Sequence, residues 1–152
     1  MSDNWIIFAP ADPNWVPTSQ STVEQAQRLI REAFPDAEEH DIKVSDRVEF
    51  IDCGQNFEDV ACPFCSVSII DWWGEAIGDA LQSDVGPVEL SVVTPCCGKQ
   101  TSLNDLVYDW QCAFARCEIS AMNPNVAELP PGLVDRLEAA LSTKLKTVFQ
   151  HI

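Results

Sequence analysis

From Val48 to Gly98 this chain has no lysine and no arginine, a run of 51 residues without a cation. Its only two histidines, His40 and His151, stand outside that run. A surface built from these residues offers nothing to neutralise phosphates, so no direct binding to nucleic acid or to an anionic membrane is expected. The scarcity of histidine also argues against a catalytic zinc, which keeps an open position and commonly takes imidazole ligands; no H-E-x-x-H is present. Every apolar run is too short to cross a bilayer. Met1-Ser2-Asp3-Asn4-Trp5 has no basic segment leading into an apolar stretch, so neither a signal peptide nor a spanning helix is expected. These absences predict a reducing, cytoplasmic setting.

What is present is acidic and unevenly spread. The formal charge is −15 over 152 residues, of which 46% are hydrophobic. That size and content suit one compact domain with a small inserted subdomain. Residues 1–53 carry eleven acidic and four basic side chains, and residues 112–152 carry four of each. Residues 54–111 carry nine acidic side chains and only Lys99.

That acidic stretch also holds four of the seven cysteines, in two clusters. These are Cys62-Pro63-Phe64-Cys65 and Pro95-Cys96-Cys97-Gly98, with 30 residues between Cys65 and Cys96. In a reducing compartment, paired clusters at such a distance predict two knuckles of one metal site, each supplying two thiolates to a structural zinc. The first cluster fits the pattern Cys-Pro-x-Cys-Gly except that Ser66 stands in the glycine place. Aligned on Pro95 and Gly98, the second has Thr94 where the first cysteine belongs, Cys96 at the variable position and Cys97 at the last. The expected ligands are therefore Cys62, Cys65, Cys96 and Cys97, with Cys53, at the end of a strand before Gly54, in reserve for Cys96. Iron at the same four thiolates would differ little in spacing. Cys112 and Cys117 lie five apart on an expected strand and so face opposite sides; Cys117 reads as a core residue.

The two ends of the chain read alike. Trp5-Ile6-Ile7-Phe8 predicts a strand, Asp12-Pro13-Asn14 a turn, and Ser21-x-x-Glu24 a capping box opening a helix with Val23, Ala26, Ile30, Ala33 and Phe34 on its apolar face. Pro35 closes that helix, and Val44 to Phe50 supplies a second strand. The order then recurs. Ala113 to Ala121 alternate as a half-buried strand, Asn123-Pro124-Asn125 turns, a helix from about Pro131 buries Val134, Leu137, Leu141 and Leu145, and Thr147-Val148-Phe149 returns. Two β-α-β units predict an α+β, ferredoxin-like frame over 1–53 and 112–152. Residues 54–111 then form a zinc-ribbon-like insert at the central hairpin, held together by its metal.

Within the insert, Ser68-x-x-Asp71 predicts the start of a helix reaching about Gln82, with Ile70, Trp73, Ile77 and Leu81 on its apolar stripe. Val88 to Val93 reads as a strand and Leu103 to Leu106 as a short helical turn. Asp71, Glu75 and Asp79 recur every four residues without a cation, and such like-charge pairs cost a few tenths of a kcal/mol each. With Trp72 exposed beside them as an anchor, they predict a face for a basic protein partner. The expected function is a non-enzymatic zinc-binding interaction module, for example an immunity or inhibitor protein seated in the basic cleft of a nuclease toxin.

Two resemblances bear on this reading. Cys62-Pro63-Phe64-Cys65 ahead of a helix resembles the active-site turn of glutaredoxins, with Thr94-Pro95 similar to that family's Thr-Val-Pro loop without its valine. This implies the alternative of a thiol-disulfide oxidoreductase. Against it stand Glu58 and Asp59 just upstream, a long spacer from Phe50-Ile51 to Cys62, and no role for Cys96-Cys97. The whole chain also resembles a group of uncharacterised bacterial proteins. The similarity lies in Cys53-Gly54-Gln55-Asn56-Phe57, the two knuckles, Thr101 to Leu106, Asp109-Trp110, Phe114-Ala115-Arg116 and Ala121 to Asn125. It implies the metal knuckles and no established activity. A transporter-ATPase label borne by some of the group finds no support here, because G-x-x-x-x-G-K-[ST] is missing.

Overall fold

The computed structural model describes residues 2–82 and 85–152. A continuous apolar run forms β1 (Asn4–Pro10), and an Asx turn follows, in which Asp12 Oδ1 accepts from the Asn14 N–H at 3.0 Å. Helix α1 (Gln20–Ala33) is capped by Ser19, whose side chain accepts from the Thr22 N–H. The expected cap, Ser21, already lies inside the helix. Either serine satisfies the local pattern, and Ser19 wins because its backbone is extended, as an N-cap must be. Phe34 terminates the helix because Pro35 disfavours helical backbone in the residue before it.

Strand β2 (Glu39–Ile51) is longer than expected and carries a bulge between Val44 and Glu49. The chain re-enters the same sheet only at β7 (Ala113–Met122), continues through α3 (Leu133–Leu141) and ends in β8 (Leu145–His151). The sheet order is β2-β7-β1-β8, with every neighbouring pair antiparallel. Each helix therefore connects two parallel strands that have an antiparallel strand between them. Leu145, expected on the α3 stripe, instead begins β8 and pairs with Pro10.

Both helices pack on one face, where Phe8, Ile30, Phe34, Ile119, Leu133 and Leu137 are buried. The opposite face is covered by the residues between β2 and β7. These supply two small antiparallel sheets, β3 (Val60–Ala61) with β6 (Val107–Tyr108) and β4 (Ser91–Val93) with β5 (Gln100–Ser102). They also supply α2 (Ile70–Ala80) and a 3-10 turn at Leu103–Asp105. Ile7, Ala9, Ile51 and Phe114 of the large sheet share one continuous core with Val60, Ile69, Leu90 and Leu103 of this segment. β7 is consequently buried on both faces at its start rather than half-buried throughout: Ala113, Phe114 and Ala115 are all inside. Truncating a buried phenylalanine such as Phe114 to alanine costs about 3–5 kcal/mol.

Trp73 pins α2 to this core. Its ring stacks on Phe57 at 4.9 Å and meets Phe50 edge-on at 5.8 Å, while its Nε1 donates to the Tyr108 hydroxyl at 3.2 Å. Ser68 does not cap α2; its hydroxyl donates to Asp59 Oδ1 at 2.6 Å, and Ile69 holds the cap position without a side-chain bond. β4 starts at Ser91 rather than Val88.

Candidate metal centre

Two turns of the same construction carry the clustered cysteines. In the first, the Cys62 N–H donates to the Val67 carbonyl at 2.9 Å and the Ser66 N–H to the Cys62 carbonyl at 2.9 Å. Ser66 adopts the left-handed conformation (φ 66°), where glycine would be strain-free. In the second, the Thr94 N–H donates to the Lys99 carbonyl at 3.0 Å and the Gly98 N–H to the Thr94 carbonyl at 2.9 Å, with Gly98 left-handed at 64°. Strands β4 and β5 lead into and out of this second turn.

The turns bring the sulfurs of Cys62, Cys65, Cys96 and Cys97 all within 4.8 Å of one another. Cys62 Sγ lies 3.9 Å from Cys97 Sγ, and Cys65 Sγ lies 3.5 Å from Cys96 Sγ. A tetrahedral ion with bonds of about 2.3 Å holds its sulfurs roughly 3.8 Å apart, so these separations fit a four-thiolate site. They are far too long for disulfides, whose sulfurs lie about 2.05 Å apart. Lys99 Nζ sits 5.2 Å over the Phe64 ring and ties one turn to the other.

The charges in the cluster are in conflict without a cation. Burial pushes the Cys62 thiol up, but the N–H groups of Phe64 and Cys65 and the neighbouring thiols prevail and bring it down to about 6. The Cys65 thiol, followed by burial, pushes Cys97 up to about 12. Burial, then the Cys62 and Cys65 thiols, also raises Cys96. One thiolate forms readily, and further ones must form beside it. A divalent ion removes that repulsion and accepts all four as thiolates.

The four cysteines expected as ligands are thus brought together, and Cys53 is not among them. It is buried with Cys112, their sulfurs 3.6 Å apart. This second pair was missed in the sequence. Its signal was there: Cys53 follows β2 and Cys112 precedes β7, and those strands pair at Ile51 and Ala113. Cys117 is a core residue under α1 and α3. His40 Nε2 lies 2.6 Å from the Phe34 carbonyl and His151 Nδ1 2.7 Å from Asn4 Oδ1, so both serve local structure.

On α2, Asp71, Glu75 and Asp79 are exposed. Trp72 is not: it is half-buried and packs against the same core as Trp73 and Ile77. Trp72, Glu75 and Asp79 line a groove of about 650 Å³ between α2 and β4, joined there by Glu89 and Val92. Asp71 lies outside it, in the first turn, where a carboxylate favours the helix dipole.

These features define an α+β protein with a four-cysteine cluster able to hold a metal ion, and no described helix is long and apolar enough to cross a membrane. Comparison with protein-family models, curated proteins and solved structures finds no match to this chain.

Proposed function

We propose that this protein is a non-enzymatic, zinc-stapled interaction module that presents an acidic face to a basic protein partner. The reading takes residues 1–53 and 112–152 as a ferredoxin-like frame, supported by the β2-β7-β1-β8 order with a helix joining each pair of parallel strands. It takes residues 54–111 as a zinc-ribbon-like insert whose ion is held by Cys62, Cys65, Cys96 and Cys97. Zinc supplies folding energy here, fixing two turns that have few apolar contacts of their own. The observation that carries the interaction is the groove itself. Glu75, Asp79 and Glu89 converge on it beside Trp72, without a cation among its lining residues. Complementary charge speeds encounter with a basic surface and penalises acidic ones.

A second reading, the thiol-disulfide oxidoreductase, draws on the depressed Cys62 thiol. It is opposed by the start of α2 at Ile70, which leaves Ser66 to Ile69 between the Cys62–Cys65 turn and the helix. Anaerobic purification followed by elemental analysis separates the two. One zinc per chain, together with loss of low-salt binding to a basic partner when Glu75 and Asp79 are reversed to lysine, supports the module. Metal-free protein that reduces a glutathione mixed disulfide, and loses that activity in Cys62→Ser, overturns it.

A further inference from the structure

We propose that the groove between α2 and β4 receives an extended basic peptide segment that adds to β4 as a third strand. This rests on the acidic-face reading above and specifies how the partner is held.

The backbone of β4 supports strand addition. The Leu103 N–H donates to the Leu90 carbonyl, and the Thr94 N–H donates to the Lys99 carbonyl. With Ser91 opposite Ser102 and Val93 opposite Gln100, residues 90, 92 and 94 direct their backbone groups at β5. The N–H and C=O groups of Ser91 and Val93 therefore point the other way, along the free edge that borders the groove. The Ser91 N–H is occupied by Glu89 Oε1 at 2.9 Å. The Val93 N–H and C=O and the Ser91 C=O remain for an incoming strand, and Val93 is 57% exposed. Unpaired edges of this kind are templates for peptide addition.

The side chains around the edge select the peptide. Glu75 and Asp79 stand one helical turn apart on the opposite wall, a rise of about 6 Å. Alternate residues of an extended strand point to the same side about 6.8 Å apart. Lysine or arginine at alternate positions therefore matches the two carboxylates, and the aliphatic stems of those basic side chains cover Trp72, which lies on the same helix face as Glu75 and Asp79. An acidic peptide would meet three carboxylates and no cation among the described lining residues.

The probe is an array of nine-residue peptides carrying Lys or Arg at alternate positions, with the residues between them varied. The best binder is then measured by fluorescence anisotropy on the metal-loaded protein. The expected result is saturable binding that falls at least ~10-fold in Val93→Pro. That change deletes an edge N–H without touching the β5 ladder, as proline on an edge strand allows. The same loss is expected when alternate peptide amides are N-methylated, and Glu75→Gln with Asp79→Asn flattens the salt dependence. Unchanged binding to Val93→Pro and to the N-methylated peptide, with loss in the charge variant, overturns strand addition and leaves the acidic-face reading standing. No enrichment of alternating basic peptides, or no effect of the charge variant, overturns both. Dimerisation of the protein that Val93→Pro abolishes, without peptide binding, assigns the edge to self-pairing and overturns the proposal.

Discussion

Thr94 holds in the second cysteine turn the place that Cys62 holds in the first. Each donates its N–H to the carbonyl five residues on and accepts, through its own carbonyl, the N–H four residues on. Thr94 keeps a polar side chain at that place, its Oγ1 accepting from the Lys99 N–H at 3.3 Å, but it offers no thiol. Cys96, from the variable position, supplies the missing sulfur.

The equivalence makes the ligand movable. Cys96→Ser is expected to weaken metal binding by more than the ~10–100-fold that loss of an outer partner costs. Adding Thr94→Cys should restore one metal per chain, because the new thiol sits where Cys62 sits in its own turn. Competition with a chromophoric chelator measures both; a double variant no better than Cys96→Ser would refute the equivalence.

Thiol chemistry should follow burial. Cys53, Cys112 and Cys117 are fully enclosed, and burial pushes all three thiols up, Cys117 to about 11. With the metal bound, none of the seven cysteines is expected to react promptly with an aromatic disulfide at neutral pH. A chelator should release Cys65 and Cys96 first, since both are exposed. Mass spectrometry of the labelled peptides gives the order.

Acid should remove the metal. The Cys62 pKa is depressed to about 6 from an ordinary thiol value of 9, so its thiolate stabilises the fold increasingly from pH 6 up to that ordinary range. The contribution is lost as pH falls through about 6, and protons then compete directly for the ligand. Chelator competition across pH 5–8 should show affinity rising with pH.

Gly54→Ala should be severe. Gly54 is left-handed (φ 63°), and an added Cβ would lie 2.2 Å from the His151 carbonyl oxygen. The left-handed cost of roughly 1–2 kcal/mol adds to the displacement of β8, giving about 2–4 kcal/mol and a Tm lower by about 5–15 °C. Thermal melting read by circular dichroism checks this.

Glu118→Gln should stabilise at neutral pH. Burial raises the Glu118 carboxyl most; Glu49, Asp41 and Asp52 add to that, and only Lys43 opposes them. A raised carboxyl favours the protonated fold, so its contribution is full below the ordinary carboxyl range and fades as pH rises through the shifted value. The variant should therefore melt higher than wild type at pH 7, with the difference vanishing in acid.

Much of this protein is legible locally. The apolar run of Trp5 to Phe8, the spacing of Ala26, Ile30 and Phe34, and the stop at Pro35 depend on neighbours within a few residues, and the strands and helices formed there. Cap choice was less legible, since Ser19 and Ser21 differ only in backbone conformation. The partial burial of Trp72 depended on how α2 packs against the core, which no periodicity within the helix specifies.

The sequence by itself determined that two cysteine turns exist, where they begin, and that the segment carrying them is rich in acidic residues. These are properties of residue type and short-range hydrogen bonding. Only the tertiary structure decided that Cys96 rather than Cys53 joins the cluster, and that Cys53 pairs instead with Cys112. It also put the segment bearing the cluster in a core shared with the large sheet. Those outcomes depend on which distant segments meet, and that is settled by the packing of apolar faces rather than by local pattern.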